Sequence, residues 1–343
     1  MNNAIAILDL VQDELEKVEA KMREPPRPLN SSKDGDGASA RPHDARYDVS
    51  HPVLNQVIER LLDSGGKRVR PALTLLISRV YAVEREKAIA LAAAIELLHT
   101  ATLVHDDLID GALLRRGQPT LNATWSSGAT VLAGDYLFAR AAELAAQTEH
   151  IQGMQVFAHT LMVICSGEIR QMFDKRAHMD RQQYYERIYA KTAALFSAAT
   201  EAAGVLGDVS PAVQTALREY GEQLGMAFQI VDDVLDFAGD QQKLGKPVGN
   251  DLRAGLVTMP TLWFLERHPD HELVNNILND GHKDDASIQT AVRLIRDAGA
   301  TEAALEEARQ FIRRSQAALE TLPPGQYRDA LWELGDFVVD RQR

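Results

Sequence analysis

The chain has 343 residues, 49 acidic and 37 basic, for a net charge of −12. That balance excludes a general nucleic-acid binder and a polybasic membrane-surface protein. The lone cysteine, Cys165, excludes an intrachain disulfide and any multi-cysteine metal site, and it suits a reducing cytoplasm.

At the N-terminus, Ile5, Leu8, Leu15, Val18 and Met22 recur at helical spacing among Asp9, Asp13, Glu14, Glu16 and Glu19. This predicts an amphipathic helix ending near Met22, not a signal peptide, because a basic leader is absent. Residues 23–50, rich in Pro, Ser, Gly, Asp and Arg, read as a mobile loop. From His51 onward the apolar period is helical. Ala/Leu-rich helices are expected over 86–110, 128–148, 151–173, 181–206, 211–239 and 286–319, with Gly and Pro in the gaps. No alternating, β-branched run predicts a strand. The most apolar stretch, Ala88 to Val104, carries Glu96 and His99 and reads as a buried helix, not a membrane span. The expected fold is all-α, with residues 1–343 forming a single domain.

Chemistry enters at Ser64-Gly65-Gly66-Lys67-Arg68-Val69-Arg70-Pro71, where cations follow a glycine pair. Glycine lets backbone amides approach an anion, and arginine offers a fork that matches phosphate oxygens. The spacing is not that of a Walker A loop. Next comes Leu103-Val104-His105-Asp106-Asp107-Leu108-Ile109-Asp110-Gly111. Spacing i, i+4 puts Asp106 and Asp110 on one helical face, and Gly111 reads as the helix stop. Carboxylates in a last helical turn oppose the macrodipole and each other, so a positive partner is required. His99 lies two turns earlier on roughly the same face. Arg115-Arg116-Gly117-Gln118-Pro119-Thr120 comes after it, which puts two guanidiniums at the mouth of the carboxylate site.

The pattern then repeats. Phe228-Gln229-Ile230-Val231-Asp232-Asp233-Val234-Leu235-Asp236-Phe237 has the same aspartate spacing, the same apolar lead-in and a nearby glycine, Gly239. Such hard oxygen ligands suit Mg²⁺ or Mn²⁺ bridging a few carboxylates to substrate phosphates. Lys191-Thr192 and Gly245-Lys246-Pro247-Val248-Gly249-Asn250-Asp251 would pass for ordinary sequence on their own.

Together these segments resemble the trans-polyprenyl diphosphate synthase family, well over residues 51–260 and loosely elsewhere. The resemblance implies an antiparallel helical bundle around a central cavity, usually a homodimer. It also implies Mg²⁺-dependent condensation of isopentenyl diphosphate with an allylic diphosphate by ionisation, condensation and elimination. Carried over by position, Asp106, Asp110 and Asp232 resemble the metal ligands, with Asp107, Asp233 and Asp236 supporting them. Arg115, Lys191 and Lys246 resemble holders of the allylic diphosphate. Lys67, Arg70, His99 and Arg116 resemble the isopentenyl diphosphate site, and Thr192 and Gln229 the polar lining of the reacting centre. Many relatives have Gly-Lys-x-Thr where this chain has Gly255-Leu256-Val257-Thr258, so the lysine contact is not carried over to Leu256.

Ala101 and Thr102 lie one turn below Asp106 and are small, where short-chain relatives carry bulky aromatics. An open passage past Ala101 predicts an all-trans product above C15, C20 or longer, with Leu97 and Leu98 one turn deeper as a candidate floor. A terpene cyclase or squalene-synthase-like enzyme is the alternative with the same scaffold. It fits less well, because the second aspartate motif and the cations Lys67, Arg70 and Arg116 are all present. A non-catalytic subunit of a heteromeric synthase would be expected to lose aspartates, and this chain keeps all six.

Overall fold

The computed structural model describes residues 7–26, 51–63, 65–173, 179–238, 248–279 and 284–340. Its main helices are α1 (Gln12–Arg23), α2 (Pro52–Asp63), α3 (Val69–Val80), α4 (Arg85–Ile109), α5 (Ser127–Ala146), α6 (Ile151–Phe173) and α7 (Arg181–Ile188). They continue with α8 (Ala194–Leu206), α9 (Pro211–Ala238), α10 (Met259–Leu265), α11 (Glu272–Leu278), α12 (Asp285–Asp297), α13 (Ala300–Leu319) and α14 (Gln326–Asp340). Leu121–Thr124 and Asn250–Arg253 add single turns. The all-α expectation holds, and most of the loop expected over 23–50 lies outside the described residues.

Four departures from the expected elements have physical causes. The N-terminal helix is interrupted by a turn at Leu10 and Val11, and α1 starts at Gln12. The segment expected over 286–319 is two helices, because Gly299 takes φ +78° and breaks the α-path between α12 and α13. The segment expected over 181–206 contains a π-helical turn, Tyr189–Ala193, between α7 and α8. The loop after α4 holds a two-residue antiparallel pairing, Leu114–Arg115 with Gln118–Pro119. Its turn residues Arg116 and Gly117 both have positive φ, the geometry that closes a tight hairpin.

The core forms where α4 packs on α1, α3, α5 and α8, and where α9 packs on α8 and α13. Small residues set these spacings. Ala92, Ala93, Ala94, Leu97 and Leu98 of α4 have no exposed surface. The π-turn is gripped from both sides. A Cβ on Gly167 of α6 would come within 2.3 Å of the Ala190 methyl, and one on Gly225 of α9 within 2.5 Å of the Ala193 Cα. Only glycine permits backbone approach this close. α4 is long and apolar enough to cross a membrane, but 72% of its apolar window is buried inside the protein, as expected for a core helix.

Candidate active site

The C-terminal ends of α4 and α9 open on one cavity of about 700 Å³. Its wall brings together Lys67 and Arg70 from the start of α3, His99, Thr102, Asp106, Asp107 and Asp110 from α4, and Arg115 and Arg116 from the hairpin. Lys191 and Thr192 from the π-turn and Gln229 and Asp232 from α9 complete it. Residues scattered through the sequence therefore meet at one place. Lys246 lies outside the described residues.

The first aspartate segment faces the cavity directly. α4 ends at Ile109, and Gly111 with φ +64° turns the chain away, as its position predicts. Asp107, which is 7% exposed, accepts a hydrogen bond from Arg115 Nε at 2.9 Å and is ion-paired with its Nη2 at 2.8 Å. This guanidinium is the counter-charge the helix end required. Asp106 lies 4.0 Å from Lys191 Nζ. Burial pushes the Asp106 carboxyl up to about 6, with Glu168 and Asp110 adding to the rise and Lys191 and Arg115 opposing it.

The second segment divides its labour. Asp232 lines the cavity. Asp233 does not: it is 3% exposed and fully occupied within the protein. Its Oδ2 accepts from the Tyr184 hydroxyl at 2.7 Å and from the Met259 backbone N–H at 3.3 Å. Its Oδ1 accepts from Gln229 Nε2 at 2.9 Å. Burial raises the Asp233 carboxyl, and these donors work against the rise. Asp236 accepts from the backbone N–H groups of Asn250 at 3.1 Å and Asp251 at 3.0 Å, so it caps the Asn250–Arg253 turn. Beside it, burial and the charges of Asp236 and Asp233 push Asp251 up to about 7.

The cationic wall is equally differentiated. Arg68 lines the cavity but is held by the protein, donating to Glu96 at 2.8 Å, Glu19 at 2.9 Å and the Leu62 carbonyl at 3.1 Å. It ties α1, α2 and α4 together and fixes the turn that presents its neighbours. Arg70 stacks over Phe196, 4.6 Å from the ring centroid, and its buried Nε has no hydrogen-bond partner among the described residues. Burial pushes it down to about 10, so it stays charged at neutral pH. An orphaned guanidinium nitrogen in a buried site suits an anionic ligand. Burial, then Arg70 and Arg116, hold the His99 imidazole well below its usual range, so it is neutral here. Lys191 is held above its usual range: burial opposes its charge, but Asp106, Glu168 and Asp110 outweigh it.

Sequence reasoning missed three residues. Glu168 on α6 accepts from Lys191 at 3.2 Å, and Glu96 partners Arg68. Tyr184 reaches Asp233 from α7. None stands in a repeated motif, and pairing across helices leaves no local trace in the sequence. The chain-length candidates fare unevenly. Thr102 lines the cavity, but Ala101 and Leu98 have no exposed surface and belong to the core. Residue 101 is rotated about 100° from residue 102 on the helix, so its methyl lies off the cavity wall that Thr102 lines. Leu256 lines a separate pocket of about 390 Å³ between α6 and α7.

The carboxylates of Asp106, Asp110 and Asp232 are hard oxygen donors that fit a hard divalent cation, and Asp106 is crowded by negative charge. Among the described residues no three carboxylate or imidazole groups approach closely enough to cage an ion. Mg²⁺ ordinarily takes one or two carboxylates and completes its shell with water and phosphate oxygens.

Comparison with known proteins agrees with this geometry. A family model described as Polyprenyl synthetase matches residues 51–295. A short chain isoprenyl diphosphate synthase of Methanothermobacter thermautotrophicus is 37% identical over 312 residues, covering 89% of this chain and 95% of its own. The crystal structure of a decaprenyl diphosphate synthase from Rhodobacter capsulatus superposes with a TM-score of 0.86 at 33% identity, covering 99% of both chains. A polyprenyl synthase from Caulobacter crescentus, complexed with calcium and isoprenyl diphosphate, superposes with a TM-score of 0.85 at 34% identity, covering 99% of this chain and 98% of that one.

Proposed function

The chain belongs to the polyprenyl synthetase family and is a trans-type prenyltransferase; we propose that this cavity joins isopentenyl diphosphate to an allylic diphosphate. The observation that carries the reading is the convergence of two carboxylate-bearing helix ends and two groups of cations on one cavity. Asp106, Asp110 and Asp232 would hold Mg²⁺ or Mn²⁺, which would supply charge neutralisation for the leaving diphosphate. Arg115 and Lys191, with Lys246, orient the allylic diphosphate so that its carbon–oxygen bond breaks toward a fixed positive wall. Lys67, Arg70 and Arg116 hold the second diphosphate, and neutral His99 adds a hydrogen bond. The double bond of isopentenyl diphosphate then attacks the allylic cation. The departed pyrophosphate takes the proton.

The product is an all-trans chain longer than C15. The similarity to a decaprenyl diphosphate synthase supports this length. A homodimer in the cytoplasm is the expected working form. Exposed Met162, Ile169, Met172 and Phe173 on α6 and Val131 and Leu132 on α5 give it apolar surface to bury. The test is to incubate the pure protein with Mg²⁺, labelled isopentenyl diphosphate and an allylic primer, then size the products. Turnover giving C20 or longer chains is expected. Exclusive C15 product overturns the length, and turnover only with a second polypeptide overturns the homomeric enzyme.

A further inference from the structure

We propose that Tyr184 is a positioning residue for prenyl transfer, acting through Asp233 and Gln229 to fix the direction of the Thr192 hydroxyl; this rests on the function proposed above. The phenol has no exposed surface and does not line the cavity. Its influence travels through four side chains on three elements.

The direction of each hydrogen bond is set by what each group can donate. An ionised carboxylate only accepts. Asp233 Oδ2 takes the Tyr184 hydroxyl at 2.7 Å and the Met259 N–H at 3.3 Å, and Oδ1 takes Gln229 at 2.9 Å. Gln229 must therefore turn its NH₂ toward Asp233, and its planar amide then turns the carbonyl oxygen away. That oxygen, Oε1, lies 2.6 Å from Thr192 Oγ1. An amide oxygen also only accepts, so the Thr192 hydroxyl donates its one proton into the wall. Its oxygen offers only lone pairs to the cavity.

This polarity has a use. The diphosphate end of the allylic substrate meets the positive groups Lys191 and Arg115, and an electron-rich oxygen stands beside them at Thr192. A lone pair suits the positive charge that develops on the allylic carbon as pyrophosphate leaves, and an O–H pointing inward would oppose it. With the relay locked, no dipole has to reorient during ionisation.

Tyr184 is the lock. Arg187 lies over its ring at 5.4 Å from the centroid and also donates to the Val257 carbonyl, which fixes the phenol between α7 and the segment before α10. Without the hydroxyl, Asp233 keeps two donors and Oδ2 loses the shorter of its two bonds. The carboxylate can then rotate, and the Gln229 amide it directs rotates with it.

A kinetic double-mutant cycle tests the relay. Tyr184→Phe, which removes only the hydroxyl, is expected to lower kcat about tenfold, the scale of one hydrogen bond to a charged group, while KM for both diphosphates moves less than about twofold. Thr192→Val removes the hydroxyl at the end of the relay. In that background Tyr184→Phe is expected to have no further effect on kcat. Multiplicative effects of the two substitutions, or an unchanged kcat in Tyr184→Phe, overturn the proposal. If Tyr184→Phe does not fold, Gln229→Met goes through the same cycle with the same two outcomes. Failure of the wild-type chain to turn over would instead overturn the functional reading beneath it.

Discussion

The two aspartate-rich segments are spelled alike and work differently. In the first, Asp106, Asp107 and Asp110 all line the cavity, and among the described residues the Arg115 guanidinium on Asp107 is the one side chain seen to donate a hydrogen bond to them. In the second, only Asp232 reaches the cavity; Asp233 is consumed by Tyr184, Gln229 and Met259, and Asp236 by the Asn250–Arg253 turn. The cause lies in the course of the chain beyond each helix end. After α4 it runs into an exposed hairpin that supplies cations. After α9 it returns and packs its own backbone N–H groups onto the carboxylates. A repeated motif thus marks where negative charge gathers, and the returning chain decides which carboxylates stay available.

The contrast can be broken most decisively at the residues assigned to the metal. Asp106→Ala and Asp232→Ala are each expected to lower kcat roughly 10³-fold, the scale of lost transition-state stabilisation, with little change in unfolding free energy. Equal losses from Asp233→Asn with an equally weakened Mg²⁺ response would erase the distinction within the second segment. The next largest effect falls on stability. Asp233→Ala orphans two buried donors, Tyr184 and the Met259 N–H, and the half-buried Gln229 amide, and is expected to cost about 3 kcal/mol of unfolding free energy. Asp236→Ala, which removes the half-buried cap of the Asn250–Arg253 turn, is expected to cost about 1 kcal/mol. Denaturant titration that ranks them the other way would contradict the hydrogen-bond assignment.

The last effect is a pH dependence. The folded carboxyls of Asp106 and Asp251 are raised to about 6 and about 7, above their ordinary range. Ionising them in the metal-free fold is therefore unfavourable, and their contribution destabilises the protein as pH rises through this window. Metal binding needs the ionised form, so the Mg²⁺ half-saturation concentration is expected to increase up to about tenfold per unit as pH falls below 6. An activity titration with Mg²⁺ that is flat from about pH 7.5 to about pH 5.5 would leave the first segment with no proton-linked role.

Much of this was legible in the sequence, for definable reasons. Helix positions tracked the apolar period, and Gly111 marked the end of α4 because only a left-handed residue fits there. The cations Lys67, Arg70, Arg115, Arg116 and Lys191 were readable because their segments recur in a known order. The division of labour within the second segment was not, because Asp233 and Asp236 are claimed by groups from α7, Met259 and the Asn250–Arg253 turn. The core position of Ala101 was not legible, because a small residue on a helix reads the same whether it borders a cavity or lets a neighbouring helix come close. The break at Gly299 and the π-turn escaped a reading based on continuous period.

The π-turn at Tyr189–Ala193 acts as a phase slip. A turn that closes one residue later than an α-turn changes the angular register between everything before it and everything after it. Tyr184 stands on one side of the slip, while Lys191 and Thr192 stand within it. Deleting a single residue here would restore α-helical phase and rotate the two halves by about 100° relative to each other. The anchor and the groups it serves could then no longer face the same partners. With Gly167 and Gly225 clamping both sides, such a chain has no room to absorb the rotation elsewhere. For this segment length is therefore as strictly specified as composition: a substitution there can be graded in its effect, but a one-residue indel acts as a spatial frameshift.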